Sequence, residues 1–339
     1  MLERYSRQIL FDGIGEEGQR RLLESFVVII GCGALGTAQA EALARAGVGR
    51  LLVVDRDFVE DSNLQRQTMF TERDAAERLP KAVACVNHLT EINSEIKAEA
   101  VVADVNHSNV ERIIKGCDLV LDGTDNFATR YLINDACVKQ ETPWVYGAAV
   151  GSYGVTMTVR PYKTPCLRCI FEEAPAAASA PTCDTAGVIM PIISVVAATQ
   201  VSEALKLLTG QHAKLHGSLM QFDVWNNEWR RIKLDGPSPD CQTCALGRYL
   251  SLEALEGDSA AVLCGRDAVQ ISPRRAGLIN LDALAERLRG AGQVQLNPYL
   301  LRLRAGQYEL TIFRDARAII RGTDDVPTAR SLYARYVGN

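Results

Sequence analysis

With 339 residues, 47% of them hydrophobic and 23% charged, the chain has an ordinary globular composition and enough length for one large domain plus a small one. A formal net charge of −4 lacks the basic footprint of a polyanion binder and argues against nucleic acid as a partner. No apolar run reaches membrane-spanning length, and the N-terminus, MLERYSRQIL, lacks the basic and apolar regions of a signal peptide, so the expected setting is cytoplasmic with no membrane partner.

Met1 to Leu23 has apolar residues at helical spacing, and its two arginines, Arg4 and Arg7, read first as the solvated face of a helix packed on a sheet. The strongest signal follows. An apolar run, Phe26 to Ile30, meets Gly31-Cys32-Gly33-Ala34-Leu35-Gly36; a helix-period segment then reaches about Ala46, and a second apolar run, Leu51 to Val54, ends in Asp55. This is a strand, a glycine turn, a helix and a strand. Glycines at 31, 33 and 36 let the backbone turn tightly, approach a phosphate and pack the helix on the sheet, while the helix N-terminus offers free N–H groups to an anion. Asp55, 19 positions beyond Gly36, is placed to bond a ribose hydroxyl. By itself this unit predicts a nucleotide without saying which.

Ser62-Asn63-Leu64-Gln65-Arg66-Gln67, with Lys81 beyond it, adds two cations where a dinucleotide oxidoreductase usually has only ribose contacts. Either one alone would read as solvated surface. Behind this unit they suit a triphosphate being cleaved, with Arg66 forking onto its oxygens and Lys81 acting as a point charge. Pro80 to Ile92 reads as a helix with Pro at an early position and Lys81 in the first turn. Ala98 to Ala103 reads as a strand, Ser108 to Ile114 as a helix, and Asp118 to Asp122 as a buried strand running into Gly123-Thr124-Asp125-Asn126. The alternation predicts a parallel sheet with helices on both faces, and Asp55 and Asp125 then lie beyond the carboxyl ends of strands, where ligands bind. Asp125 is a candidate Mg²⁺ ligand; the competing reading makes it the N-cap of a helix starting near Phe127.

Trp144 to Tyr162 shows period-2 alternation with glycines and predicts antiparallel strands added to the parallel sheet. Ten cysteines call for a role other than disulfides in a reducing cytosol. Cys166 and Cys169 form one CxxC pair, Cys241 and Cys244 a second, and four thiolates from two turns predict one closed, structural Zn²⁺ site better than two redox pairs. Glu172 to Cys183 is small, proline-interrupted and aperiodic, and reads as a mobile loop with an accessible thiol, Cys183, at its end before a long helix from Met190 to Leu208. Cys32, Cys85, Cys117 and Cys137 read as small core hydrophobes. The composition shifts between residues 245 and 260, which divides the chain into residues 1–247 and 248–339. The second part carries Ala261 to Ile271, a helix at Leu281 to Leu288, strands near Tyr299 to Leu303, Tyr308 to Phe313 and Ala316 to Ile319, and a helix at Pro327 to Tyr336. Cys264 within it is a candidate reactive thiol, with a packed cysteine the preferred reading. The expected fold class is α/β: a Rossmann-like, mostly parallel sheet with added antiparallel strands, a structural zinc site and a small C-terminal α+β module.

GCGALG, VVDRDFVEDSNLQRQ, PKA, LDGTDN, the two CxxC pairs and TCDTAGV together resemble the ThiF/MoeB (HesA/MoeB/ThiF) family, bacterial relatives of ubiquitin-activating enzymes, over roughly residues 3 to 246. The resemblance implies adenylation of the C-terminal glycine of a small ubiquitin-fold sulfur carrier protein ending in Gly-Gly, with ATP and Mg²⁺, releasing pyrophosphate. It implies that Gly31 to Gly36 lie along the ATP phosphates, that Asp55 binds the ribose, that Asn63, Arg66 and Lys81 hold the triphosphate, and that Asp125 holds the metal. Ser62, Leu64, Gln65 and Asn126 fall within the same matching motifs. Arg7 matches an arginine that reaches the partner subunit's site, which implies a homodimer. Cys183 matches a loop cysteine that in some members links covalently to the carrier during sulfur transfer, with a cysteine desulfurase or another sulfur donor upstream. The C-terminal module resembles the tail of the family's Bacillus-type thiazole branch, which leans towards a ThiS-like carrier in thiamin biosynthesis and away from a MoeB-like enzyme acting on a MoaD-like carrier; a docking role for the module predicts that a chain ending near Gly247 folds but transfers sulfur slowly. An NAD-dependent oxidoreductase and a non-catalytic, partner-binding member of the fold are the alternatives from other classes.

Overall fold

Four largely apolar runs and one mixed edge segment, KAEAVV, become the parallel half of an eight-stranded sheet: β1 (Phe26–Ile30), β2 (Arg50–Asp55), β3 (Lys97–Val102), β4 (Leu119–Asp122) and β5 (Trp144–Val150). The computed structural model describes residues 2–173, 186–253, 259–263, 267–273 and 278–338. Three antiparallel strands, β6 (Tyr153–Val159), β7 (Ser218–Asp223) and β8 (Glu228–Lys233), complete the order β3-β2-β1-β4-β5-β6-β7-β8. β1 pairs in parallel with β2 on one side and β4 on the other, so Val27 faces both Leu51 and Leu119. The strand order reverses there, opening the crevice in which α/β sheets bind ligands.

Alternate residues of these strands enter opposite layers. Val27, Ile29, Leu51, Val53, Leu119 and Leu121 pack with the helices Ala34–Ala46, Lys81–Ile92 and Met190–Leu208. Val28, Ile30, Val54 and Val120 pack with Val110–Ile113 and Phe127–Lys139. A strand buried on both faces has to be apolar throughout, which is why these runs were legible.

Four local readings change. The N-terminal segment is a 3₁₀ turn, Leu2–Tyr5, and two helices, Ser6–Ile9 and Gly15–Glu24, the second of which opens on Gly15 at φ +60. Pro80 is the N-cap, with φ −56 and ψ 135, so Lys81 is the first helical residue. β7 and β8 have no counterpart among the predicted elements; β8, EWRRIK, is exposed along its whole length, leaving neither an apolar run nor an alternation to mark it. Finally, Met190–Leu208 is, at 19 residues, long and apolar enough by length and composition to cross a membrane. It packs against Ala34–Ala46 and β5, and half of its apolar window is buried inside the protein, as in a core helix.

The chain divides into units of residues 1–254 and 255–339. The first continues past Gly247: Ser251 donates its backbone N–H to Asp135 Oδ2 at 2.9 Å, and Tyr249 and Leu252 pack on its core. The second is an antiparallel sheet, order β11-β12-β13-β14-β10-β9, of β9 (Ser259–Leu263), β10 (Ala268–Ser272), β11 (Gln293–Leu296), β12 (Leu300–Ala305), β13 (Tyr308–Phe313) and β14 (Ala318–Arg321). Its helices, Leu281–Leu288 and Val326–Tyr336, are capped by Asn280 and Asp325 and lay Leu284, Leu288, Ala329 and Tyr333 on Leu301, Leu303, Leu310 and Ile312.

Candidate functional site

The carboxyl ends of β1, β2 and β4 bring the glycine turn, Asp55 and the Gly123-Thr124-Asp125 loop together. Gly31 has φ +90, and a Cβ there would lie 2.7 Å from the Gly123 carbonyl carbon, so conformation and space both require glycine. A Cβ on Gly36 would lie 1.9 Å from the Gly31 carbonyl oxygen. Gly36→Ala is therefore expected to destabilise the protein by about 3 kcal/mol or more, measured as a shift in the urea midpoint, because the neighbour that must move is backbone. Gly33 differs: a Cβ would meet nothing nearer than 3.9 Å. As N-cap of Ala34–Ala46 it makes no side-chain capping bond, leaving the first-turn N–H groups to face that space.

Asp55 is fixed by two backbone donors, Cys32 N–H to Oδ2 and Asp57 N–H to Oδ1, both at 2.6 Å. Burial raises its carboxyl above the usual range against the pull of Lys81. A carboxylate has about four acceptor sites, so both oxygens retain capacity for a ribose hydroxyl. Lys81 is buried, and its Nζ lies 3.7 Å from Asp57 Oδ2. Arg66 is half-buried and donates to the Ser62 carbonyl at 2.9 Å. Asn63 is buried and closes the turn Asp61–Asn63, its Oδ1 accepting the Glu60 N–H at 3.1 Å. Ser62 and Gln65 are exposed and Leu64 is half-buried.

The cap of Phe127–Lys139 is Asn126, whose Oδ1 accepts the Thr129 N–H at 2.9 Å. That leaves the exposed Asp125 without a capping role. Arg7, exposed on Ser6–Ile9, makes no side-chain hydrogen bond or ion pair among the described residues; two large exposed apolar residues, Leu10 at 71% and Phe11 at 65%, follow it. Cys183 and Cys264 lie outside the described residues.

Three features of the site have no counterpart in the sequence reading. Gln67 is buried, its Oε1 has no hydrogen-bond partner among the described residues, and its Nε2 lies 4.0 Å from where a Gly33 Cβ would be. The orphaned oxygen can only accept, so it suits a hydroxyl or amine donor of a bound nucleotide, while the free helix N–H groups beside it suit the phosphate ester of a ligand such as ATP. Gln39 and Gln200, 161 residues apart, are buried and hydrogen-bonded at 2.6 Å, and both donate to the Asp122 carbonyl at 3.0 Å. Asp122 and Arg130 form a buried ion pair at 3.2 Å under the Thr124 loop. Only Gln67, lying within SNLQRQ, had a local signal.

Apart from this crevice, the Sγ atoms of Cys166, Cys169, Cys241 and Cys244 all lie within 4.8 Å of one another. The closest pairs are Cys169–Cys244 at 3.4 Å, Cys166–Cys241 at 3.6 Å and Cys166–Cys169 at 3.8 Å. Four thiolates around a tetrahedral ion with bonds of about 2.3 Å stand about 3.8 Å apart, so the cluster has the donors and spacing to hold a metal. Phe127–Lys139 anchors both turns: Asn134 Oδ1 accepts the Leu167 N–H, and Asp135 Oδ1 accepts from Thr243 Oγ1, each at 2.8 Å.

The description of the ThiF family matches residues 5–243. The chain is 46% identical over 340 residues, 100% of both sequences, to a Bacillus subtilis protein named sulfur carrier protein ThiS adenylyltransferase. It is 40% identical over 255 residues to the SAMP-activating enzyme E1 of Haloferax volcanii, covering 75% of this chain and 93% of that one. It is 38% identical to the sulfur carrier protein adenylyltransferase of Thermus thermophilus, over 72% and 90%. Among solved structures, E. coli MccB with MccA-N7isoASN has a TM-score of 0.65 at 22% identity over 72% of this chain and 75% of that one, a likeness of fold. With the matched stretch spanning the glycine turn, the cation pair and the first CxxC turn, the chain belongs to the ThiF family.

Proposed function

We propose that this chain adenylates the C-terminal glycine of a ThiS-like, ubiquitin-fold sulfur carrier protein in thiamin thiazole biosynthesis, using ATP and releasing pyrophosphate. The observation that carries the reading is the 46% identity to a ThiS adenylyltransferase that runs through both units, the C-terminal one included. The crevice supports it with the absence of any atom within 3.9 Å of a Cβ placed on Gly33, a buried lysine, and a carboxylate held by two backbone donors for the ribose. A MoaD-like carrier is the second reading, since a 40% identical relative that matches 75% of this chain is named for activating a carrier other than ThiS, SAMP.

The carrier carboxylate attacks the α-phosphorus in line; an O–P bond forms, the bond to the bridging oxygen breaks, and its electron pair leaves with pyrophosphate. The nucleophile is already ionised, so no general base is needed. The difficulty is bringing two anions together. Lys81, Arg66 and the N–H groups after Gly33 offset that repulsion and hold the triphosphate, and Asp55 fixes the nucleoside, so positioning and electrostatics supply most of the acceleration. Asp125 would hold Mg²⁺, which supplies charge neutralisation on the phosphates when bound. The four-cysteine cluster would hold Zn²⁺ as a closed structural site.

Arg7 beside exposed Leu10 and Phe11 supports a homodimer in which Arg7 of the partner subunit completes each site. Mixing inactive Arg7→Ala and Asp125→Ala proteins under subunit exchange should then restore about a quarter of wild-type exchange activity, since half the dimers are mixed and each keeps one intact site. No recovery would place Arg7 in its own subunit's site or outside the reaction. Cys183 would take the covalent link to the carrier, with a cysteine desulfurase or another donor supplying sulfur. A reducing cytoplasm, without nucleic-acid or membrane partners, suits the eight described cysteines, all free thiols. The reading is tested by ATP–pyrophosphate exchange with each small Gly-Gly-ending carrier of the same genome. Exchange with the thiazole-pathway carrier supports it, exchange with the molybdopterin-synthase small subunit alone moves it to the second reading, and no exchange with any carrier despite bound ATP rejects it.

A further inference from the structure

We propose that the buried Asp122–Arg130 pair is a positioning clamp for the Asp125 carboxylate; the inference rests on the reading of Asp125 as the magnesium ligand. Asp125 is exposed, and its one hydrogen bond among the described residues is a long contact, 3.4 Å, from Asn126 Nδ2. Its place is therefore set by its backbone, and so by Thr124. All three polar groups of Thr124 end on the buried pair. Its N–H and Oγ1–H donate to Asp122 Oδ1 at 2.9 and 2.7 Å, and its carbonyl accepts from Arg130 Nη2 at 2.7 Å. Arg130 Nε donates to Asp122 Oδ2 at 3.2 Å, and Nη2 also reaches the Gly147 carbonyl on β5 at 3.3 Å.

Asp122 ends β4 and Arg130 lies in the first turns of Phe127–Lys139, so the pair ties together the two elements that the Asp125 loop connects. Asp122 is 0% exposed and Arg130 5%, and the guanidinium lies 5.4 and 5.5 Å from the ring centroids of Phe127 and Tyr146. A buried ion pair rarely stabilises a fold more than apolar residues of the same volume. What this one supplies is directional: three bonds on one residue, fixing the next residue's position, in the way that outer partners of a metal ligand tune affinity.

The test uses the full-length enzyme with its thiazole-pathway carrier and four proteins: wild type, Arg130→Lys, the apolar double variant Asp122→Leu/Arg130→Met, and Asp125→Ala. Three quantities are read: the thermal midpoint, ATP binding without metal, and the Mg²⁺ concentration giving half-maximal ATP–pyrophosphate exchange at saturating ATP. The double variant leaves the polar groups of Thr124 without the pair, so its midpoint should fall, but it should still unfold cooperatively and bind metal-free ATP within about threefold, while its half-saturating Mg²⁺ rises roughly tenfold or more. Arg130→Lys, which keeps the charge and loses the fork, should rise in between. A half-saturation within about twofold of wild type in a folded double variant, with Asp125→Ala crippled, overturns the clamp and leaves the magnesium assignment standing. Wild-type exchange in Asp125→Ala overturns both. If neither pair variant folds, the pair is a stability element and the positioning role is rejected.

Discussion

Asp125→Ala is expected to lower carrier-dependent ATP–pyrophosphate exchange by about 10²- to 10³-fold while the fold is unaffected. The two halves of that expectation come from different observations. The carboxylate is exposed and makes only a 3.4 Å contact with Asn126, and the capping bond to the Thr129 N–H belongs to Asn126. Its removal should therefore shift stability by no more than about 0.5 kcal/mol. In the proposed reaction, by contrast, Asp125 would hold Mg²⁺, and it is the charge of that ion that would offset the negative charge on the leaving pyrophosphate, an effect of several kcal/mol. The control is Asn126→Ala, expected to cost about 1 kcal/mol of stability through the lost cap. Parallel thermal unfolding and exchange measurements separate the two. Near-wild-type exchange in folded Asp125→Ala would remove the metal assignment.

What the sequence made legible was local. The glycine turn, Asp55 and the apolar runs are contiguous patterns whose geometry follows from backbone freedom, strand period and two-sided burial, and Gly31 and Gly36 stand where a Cβ would strike backbone. The two CxxC pairs were legible because each turn chelates by itself, although the structure was needed to bring four sulfurs within 4.8 Å. The illegible residues act at a distance. Gln39 and Gln200 meet across 161 residues, and nothing local distinguishes either from a solvated glutamine. Asp122 reads as the end of a buried strand and Arg130 draws no reading at all, because what pairs them is the closing of the loop between them. The edge strand β8 left no periodic trace because neither of its faces is covered. Arg7 was legible only through the family resemblance, since the partner surface that would give it a role lies outside its own chain.

Stripping the metal from the four-cysteine cluster is expected to lower the unfolding midpoint by more than about 10 °C, with about one zinc per chain released. The cluster joins Cys166 and Cys169 after β6 to Cys241 and Cys244 after β8, with Cys166 and Cys241 buried. Without an ion, the four sulfurs have one another at 3.4 to 3.8 Å and, at Cys169, the Ser238 N–H at 3.4 Å, and weak S–H donors do little to stabilise such an arrangement. The surrounding structure depends on those turns. Asp135 is fully buried and receives Thr243 Oγ1 at 2.8 Å and the Ser251 N–H at 2.9 Å, and Arg168 reaches it at 3.8 Å while stacking 4.6 Å from the Tyr131 ring centroid. If the second turn drifts, a buried carboxylate loses its donors, a loss of 3 kcal/mol or more on the scale of broken buried pairs, approximately. Zinc–thiolate binding free energy in small domains runs to about 10–16 kcal/mol, and a third of it would account for the expected shift at about 2–4 °C per kcal/mol. Chelator-treated and zinc-reloaded samples compared by calorimetry provide the measurement, with zinc counted in the same samples. Reloading should restore both midpoint and exchange, and a chelated protein that melts within 3 °C of the loaded one, approximately, would show that the cluster does not hold a structural metal. Because Asn134 and Asp135 lie on the helix whose first turns hold Arg130, exchange activity should fall as the stripped protein loosens, before the parallel sheet itself melts.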